Sequence, residues 1–150
     1  MLKRILRWLG IAIAAIILLI VVIFGMSRCS AAKYDPPVSR LAAELVPLLS
    51  TGDVAQVKQF FVPEALPKDS AEVDKYIRAY QKLGKYKSHG APEFKAIRKV
   101  AGAPYSTQID YQIPAEFEAG HALISATFVK RDDGTLGLWG LNVSSDAFLK

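Results

Sequence analysis

Tyr105-Ser106-Thr107-Gln108-Ile109-Asp110-Tyr111-Gln112-Ile113 alternates apolar or aromatic residues with short polar ones over nine positions. Successive side chains of a strand point to opposite faces, so this stretch is a strand with one buried face and one wet face. Downstream, Pro114 predicts a bulge or an edge before Phe117, and Ala119-Gly120 turns the chain. Residues 121–130 form the next strand, and Asp132-Asp133-Gly134 is a hairpin turn. Residues 136–143 are the last strand. Leu136, Leu138, Trp139, Leu141 and Val143 make it apolar on both faces, which predicts a strand that is central or covered on both sides. Upstream, residues 85–89 read as extended and Gly102-Ala103-Pro104 as a turn. Phe94, Ile97 and Val100 have a spacing that suits a helix as well as a strand, and we read strand.

The region before this sheet has helical periodicity. Leu41, Leu45, Leu48 and Leu49 form one stripe, with Pro47 inside it as a candidate kink and Ser50-Thr51-Gly52 as its end. Asp53 followed by Gln56 resembles a capping box and opens a short helix that buries Val54, Val57, Phe60 and Phe61. Pro63 and Pro67 bracket a turn. Asp69 and Glu72 suggest a second capping box, opening a helix with the stripe Val73, Tyr76, Ile77, Tyr80 and Leu83 and a terminal Gly84. Asp74 and Arg78 are spaced for an ion pair on its outer face. Helices first and an antiparallel meander after them define an α+β domain. Its expected architecture is three helices packed on a curved antiparallel sheet of about four strands. Ile109, Tyr111, Trp139, Leu141, Leu45 and Ile77 are expected to share one core.

The junction Leu83-Gly84-Lys85, the strand from Tyr111 to Phe117 and the run Gly134-Thr135-Leu136-Gly137-Leu138-Trp139-Gly140-Leu141 resemble small exported members, of unassigned function, of the nuclear-transport-factor-like superfamily. This superfamily has a cone-shaped, cystatin-like α+β fold. The resemblance covers roughly residues 38–146 and rests on structural motifs. It implies a pocket between helices and sheet, and a family that holds both ketosteroid-isomerase-like enzymes and pure binding or assembly modules.

Further upstream, residues 8–26 are 19 positions without a charge, most of them Ile, Leu, Val or Ala. At ~1.5 Å per residue a helix of that length is just under ~30 Å, about the hydrocarbon thickness of a bilayer. Lys3, Arg4 and Arg7 precede the run, Trp8 stands at its edge, and Arg28 and Lys33 follow it. The excess of positive charge in front places the N-terminus in the cytoplasm and the bulk of the chain outside it. The expected organisation is a cytoplasmic stub and transmembrane anchor over residues 1–28, a linker over 29–37 and an exported α+β domain over 38–150. The location is a bacterial-type inner membrane, crossed once, with the domain periplasmic or otherwise extracytoplasmic. Cleavage after Ser30-Ala31-Ala32 competes with this reading, but the apolar core is longer than a signal peptide uses. A lipoprotein cysteine at Cys29 is disfavoured by Arg28 before it. Cys29 is the only cysteine, so no intramolecular disulfide forms.

Residues 1–30 hold four basic groups and no acid. Residues 31–150 hold fifteen basic and fourteen acidic groups, so most of the net charge of +5 reports topology and not nucleic-acid binding. Within the exported part, Lys75, Arg78, Lys82, Lys85, Lys87, Lys95, Arg98 and Lys99 stand against Glu93 alone over residues 75–99. They form a candidate basic surface for anionic lipid headgroups or an acidic protein partner, although lysines on a sheet edge also guard against aggregation. Tyr76, Tyr80, Tyr111 and Trp139 are candidate pocket-lining residues for a small apolar ligand. The isomerase-like pairing of an acid with a tyrosine would fall on Asp110 and Tyr111, which a regular strand sends to opposite faces. His89 and His121 lack metal-ligand spacing, and hydrolase and phosphate-loop motifs are missing. Asn142-Val143-Ser144 matches a glycosylation triplet but lies within a strand. No catalytic, cofactor or metal residue is assigned. The function expected is a membrane-anchored, non-enzymatic binding or assembly module; the alternative is an enzyme acting on a small hydrophobic substrate in the cone pocket.

Overall fold

The alternation around Tyr111 lies in the longest pairing of the sheet, in a computed structural model that describes residues 13, 15–18, 32–67, 71–101 and 104–149. The chain divides into two units, Met1–Pro36 and Pro37–Lys150. In the first, Ile13, Ile16, Ile17 and Leu18 are helical and each exposes more than half of its surface. Among the described residues no helix is long and apolar enough to cross a membrane. Most of the run 8–26, with Cys29 and the basic flank before the run, lies outside the described residues.

Among its described residues the second unit contains five strands: β1 (Tyr86–His89), β2 (Glu93–Lys99), β3 (Thr107–Phe117), β4 (Gly120–Lys130) and β5 (Leu136–Ser145). All pair antiparallel. The sheet is nonetheless four strands wide. β2 pairs with β3 from Thr107 to Gln112 and β1 with β3 from Ala115 to Phe117, so the two short strands share one edge end to end. The change of partner falls at Pro114. Its carbonyl accepts from the Gly90 N–H at 2.8 Å, and a proline has no N–H to leave unpaired at that break.

Ile109, Tyr111, Ile113, Ala115 and Phe117 of β3 are buried on one face, opposite Phe128, Ala126, Ile124 and Ala122 of β4. Gln108, Asp110, Gln112, Pro114 and Glu116 take the other face, as the alternation predicts. β5 differs from expectation. It is the terminal strand of the order, not a central one. Its outer edge is covered at one point by a parallel bridge between Phe61 and Leu138. There the Leu138 N–H donates to the Phe60 carbonyl at 2.8 Å and the Val62 N–H donates to the Leu138 carbonyl at 2.9 Å. Trp139 is a second difference: Thr127 pairs with Gly140 and Phe128 with Leu138, so Trp139 is the extra residue of a bulge. It is half-buried, its ring edge-on to Tyr105 with centroids 6.0 Å apart, and it is not in the core. Leu141 is also only half-buried.

Helix α1 (Asp35–Leu49) buries Val38, Ala42, Leu45, Val46 and Leu49. The stripe is thus rotated from the leucine pattern, and Leu41 and Leu48 are half-buried. Pro36-Pro37, read as the end of the linker, lie in the first helical turn, where a missing N–H costs nothing because no carbonyl awaits it. Pro47 sits within the last turn of the helix. Ser50 and Thr51 hydroxyls then donate to the Pro47 and Leu48 carbonyls at 2.9 and 2.7 Å and finish the helix. Asp53 opens α2 (Val54–Lys58) as predicted: Oδ1 accepts from the Gln56 N–H at 3.1 Å, and Oδ2 from the Gln56 side-chain amide at 2.8 Å.

Helix α3 (Ala71–Ala79) runs on as a 3-10 turn over Tyr80–Leu83. Ile77, Tyr80 and Leu83 are buried, but Tyr76 is 60% exposed. Gly84 closes the turn at φ +71°, a conformation that favours glycine. The second capping box begins at Asp69, outside the described residues. Asp74 pairs with Lys58 on α2, not with Arg78 on its own helix. A tertiary partner that ties two helices together displaces the local one.

Candidate functional site

A groove of about 330 Å³ lies between α3 with its 3-10 extension and β5. Val73, Tyr76, Ile77 and Tyr80 form one wall, Leu141 and Asn142 the other, and Phe61 completes the lining. The wall of α3 follows from helical spacing. Val73, Tyr76, Ile77 and Tyr80 fall on one stripe, of which Ile77 and Tyr80 are drawn into the core while Tyr76 stays open to solvent. Tyr80 packs against Phe148, ring centroids 6.1 Å apart. Burial pushes its phenol above the ordinary tyrosine range, with Tyr76 adding to the shift. Tyr80 is therefore neutral at physiological pH. The groove's other described lining side chains are aliphatic, aromatic or amide, so among the described residues it holds no carboxylate, imidazole or amine to move a proton.

Of the four expected pocket residues, Tyr76 and Tyr80 line this groove. Tyr111 does not: it is 1% exposed, packed between Phe94 and Phe128 at 5.7 and 6.2 Å. Trp139 lies with Tyr105 instead. The Tyr105 hydroxyl donates to Glu64 at 2.9 Å, and that bond holds its pKa above the usual value. The lining residues that the sequence did not single out as pocket are Phe61, Val73, Ile77, Leu141 and Asn142. Val73 and Ile77 were signalled only as members of the helical stripe, and Asn142 only as a polar residue within the apolar run 136–143.

All eight residues of the basic segment are exposed. Lys75, Arg78 and Lys82 share the outer face of α3 and its extension, opposite the groove. Lys87, Lys95 and Lys99 follow along the edge made by β1 and β2. Two of the eight are neutralised locally: Lys95 by Glu93 at 2.8 Å, and Arg98 by Asp110 at 2.8 Å. Lys75, Arg78, Lys82, Lys85, Lys87 and Lys99 make no ion pair among the described residues.

Asp110 stands on the wet face, where it accepts from Arg98 at 2.9 Å and from the Thr127 hydroxyl at 2.7 Å. Tyr111 points into the core on the other side, so the pair cannot work together on one substrate. His89 Nδ1 is hydrogen-bonded to the Tyr86 hydroxyl at 2.6 Å, and exposed His121 holds Ser145 through its backbone carbonyl at 2.8 Å. Both histidines border a shallow depression with Glu116. Among the described residues no three His, Cys, Asp or Glu side chains gather to hold a metal ion.

No family model matches the chain, and none of the curated proteins compared with it matches.

Proposed function

We propose that this chain is a single-pass, membrane-anchored binding module without catalytic activity, exported so that the domain from Pro37 onward faces away from the cytoplasm. The observation that carries the binding role is the groove between α3 and β5. It is concave and largely apolar, within the size range of ligand sites, and lined by neutral groups. A pocket with no carboxylate, imidazole or amine among its described lining residues suits recognition better than proton transfer. The anchor rests on the 19 uncharged residues from Trp8 to Met26 and on the cations before them. The exposure of Ile13, Ile16, Ile17 and Leu18 on a helix accords with it. Membership of the cone-shaped nuclear-transport-factor-like superfamily, in its binding rather than isomerase branch, is part of the same proposal. The saturated Asp110 on the wet face supports that choice of branch.

Protease added to sealed spheroplasts tests the topology. The domain should be digested while the N-terminal stub survives in the membrane fraction. Full protection of the domain reverses the orientation, and a mature N-terminus at Lys33 shows cleavage in place of anchoring. Isolation of the intact protein from membranes, with whatever it retains, should yield a bound partner or small apolar ligand that a Tyr76→Asp variant loses.

A further inference from the structure

The groove has a second property, its position at the end of the sheet. β5 is the last strand in the order, and the Phe61–Leu138 bridge is its one contact of strand type on that side among the described residues. At that bridge the chain already lays an extended segment of its own beside β5, with two backbone hydrogen bonds to Leu138. Beyond Leu138 the edge runs on into the groove, where Leu141 and Asn142 form one wall and Tyr76, Ile77 and Tyr80 of the helical layer form the other. A slot with a strand edge on one side and an apolar helix face on the other is the geometry of β-strand addition. The edge supplies backbone hydrogen bonds, and the helix receives alternate side chains.

We infer that residues 140–144 of β5 accept an extended segment of a partner protein as an added strand. That strand starts past Pro63–Ala65, the 3-10 turn into which the chain passes after Val62. Its apolar side chains, at every second position, enter the groove against Tyr76 and Ile77. The occupant is extended and not helical because, among the described residues, no further strand lies beside residues 140–144 of β5, the last strand of the sheet. It is apolar at alternate positions because the lining is apolar and because the cations Lys75, Arg78 and Lys82 face away from the groove. The inference deepens the binding-module reading and rests on it.

The test uses the full chain in zwitterionic nanodiscs and a seven-residue peptide, with Phe, Val and Phe at alternate positions separated by Ser and flanked by Lys. Two backbone-methylated forms of the peptide are compared with it, one methylated on the amides of the apolar residues and the other on those of the serines. Alternate amides of a strand point to opposite edges, so only one form should lose the bonds to β5. That form should bind about tenfold or more weakly, the cost of one to two strand hydrogen bonds, while the other form binds as the parent does. Binding of the parent should slow amide exchange at residues 140–144 and should be lost in Tyr76→Asp, a substitution at a 60% exposed position that leaves the core intact. Equal binding of both methylated forms, or no binding of the parent at millimolar concentration, overturns strand addition. 1-Naphthol, titrated in parallel, separates the two levels. If it binds and Tyr76→Asp abolishes that binding, the groove remains a small-ligand site; if neither probe binds, the binding-module reading falls as well.

Discussion

Gly137 has no room for a side chain. A Cβ placed there would stand 2.4 Å from Val62 Cγ1 and 2.8 Å from Arg131 Nε. Val62 is fully buried and cannot retreat, so Gly137→Ala forces residues 60–62 away from β5. The expected loss is about 1–3 kcal/mol, the range for overpacking a close contact, read as a lower denaturant midpoint with an unchanged slope. Gly140, three residues on, has only ordinary contacts, with Thr127 atoms at 3.8 and 3.9 Å. Gly140→Ala is the control and should cost much less. Asp133 sets a different dependence. Its Oδ1 accepts from the Thr135 N–H at 2.8 Å and the Thr135 hydroxyl at 2.6 Å, and these bonds hold its carboxyl below the usual carboxylate range. A folded-state pKa below the unfolded one adds stability above the unfolded value and loses it as pH falls through the folded one. The β4–β5 turn should therefore loosen on acidification into the carboxylate range, seen as faster amide exchange at Thr135 than base chemistry alone predicts. Asp133→Asn should remove that pH dependence. If Thr135 keeps the same acid response in the variant, another group is responsible.

Bulges explain which elements the sequence exposed and which it hid. β3 is regular for eleven residues, and its period of two was plain from Tyr105 to Ile113. β2 is not regular: Phe94 opposes Tyr111 and Ile97 opposes Ile109, with an extra residue between Phe94 and Ala96. That insertion moves two core-facing residues from a spacing of two to a spacing of three, which is why residues 94–100 suited a helix as well as a strand. The bulge at Trp139 does the same to Leu138 and Leu141, and it defeats the expectation that Trp139 joins the core. In α1 the ambiguity has another cause. Apolar residues cover a wide arc opposite Arg40 and Glu44, so periodicity alone did not choose between Leu41 or Leu48 and Val38 or Val46. The groove was half legible. Its α3 wall is a stripe within one element, whereas Phe61 and Leu141 reach it only through tertiary packing. The cover over the β5 edge was invisible for the same reason, and it can be tested. Val62 has φ −74° and ψ 144°, values a proline accepts, so Val62→Pro removes the N–H bonded to Leu138 with little backbone strain. Compared with Val62→Ala, which keeps that bond, it should lose about 1 kcal/mol more and speed exchange at the Leu138 amide. The longer uncovered edge should also aggregate faster. Equal stability of the two variants would show that packing alone holds residues 60–62.

At the scale of the whole molecule, charge is sorted along the chain. Residues 75–99 carry a net +7, while residues 31–74 and 100–150 carry −3 each. The sorting survives folding: all eight bases are exposed, and among the described residues only Lys95 and Arg98 find acids. If the anchor spans residues 8–26, about ten residues separate it from the start of the second unit at Pro37. At ~3.3–3.6 Å per extended residue, that chain reaches no more than ~36 Å, so an anchor there would keep the domain within that distance of lipid headgroups. Each unpaired Lys or Arg near an anionic surface contributes ~1 kcal/mol, screened over ~10 Å at 0.1 M salt. The unit from Pro37 to Lys150 holds its own core, and without the anchor it should bind vesicles containing phosphatidylglycerol weakly at low salt and leave them as salt rises. The contributions should be unequal. Lys87→Ala and Lys99→Ala each remove an unpaired charge and should each weaken binding about fivefold, while Lys95→Ala removes one already shared with Glu93 and should change it little. Glu93→Ala should strengthen binding by freeing Lys95. Equal effects of all three lysine changes would mean that the Lys95–Glu93 pair opens at the surface. An absence of binding at low salt would instead leave the basic edge as a solvated guard against strand pairing, and place recognition in the groove alone.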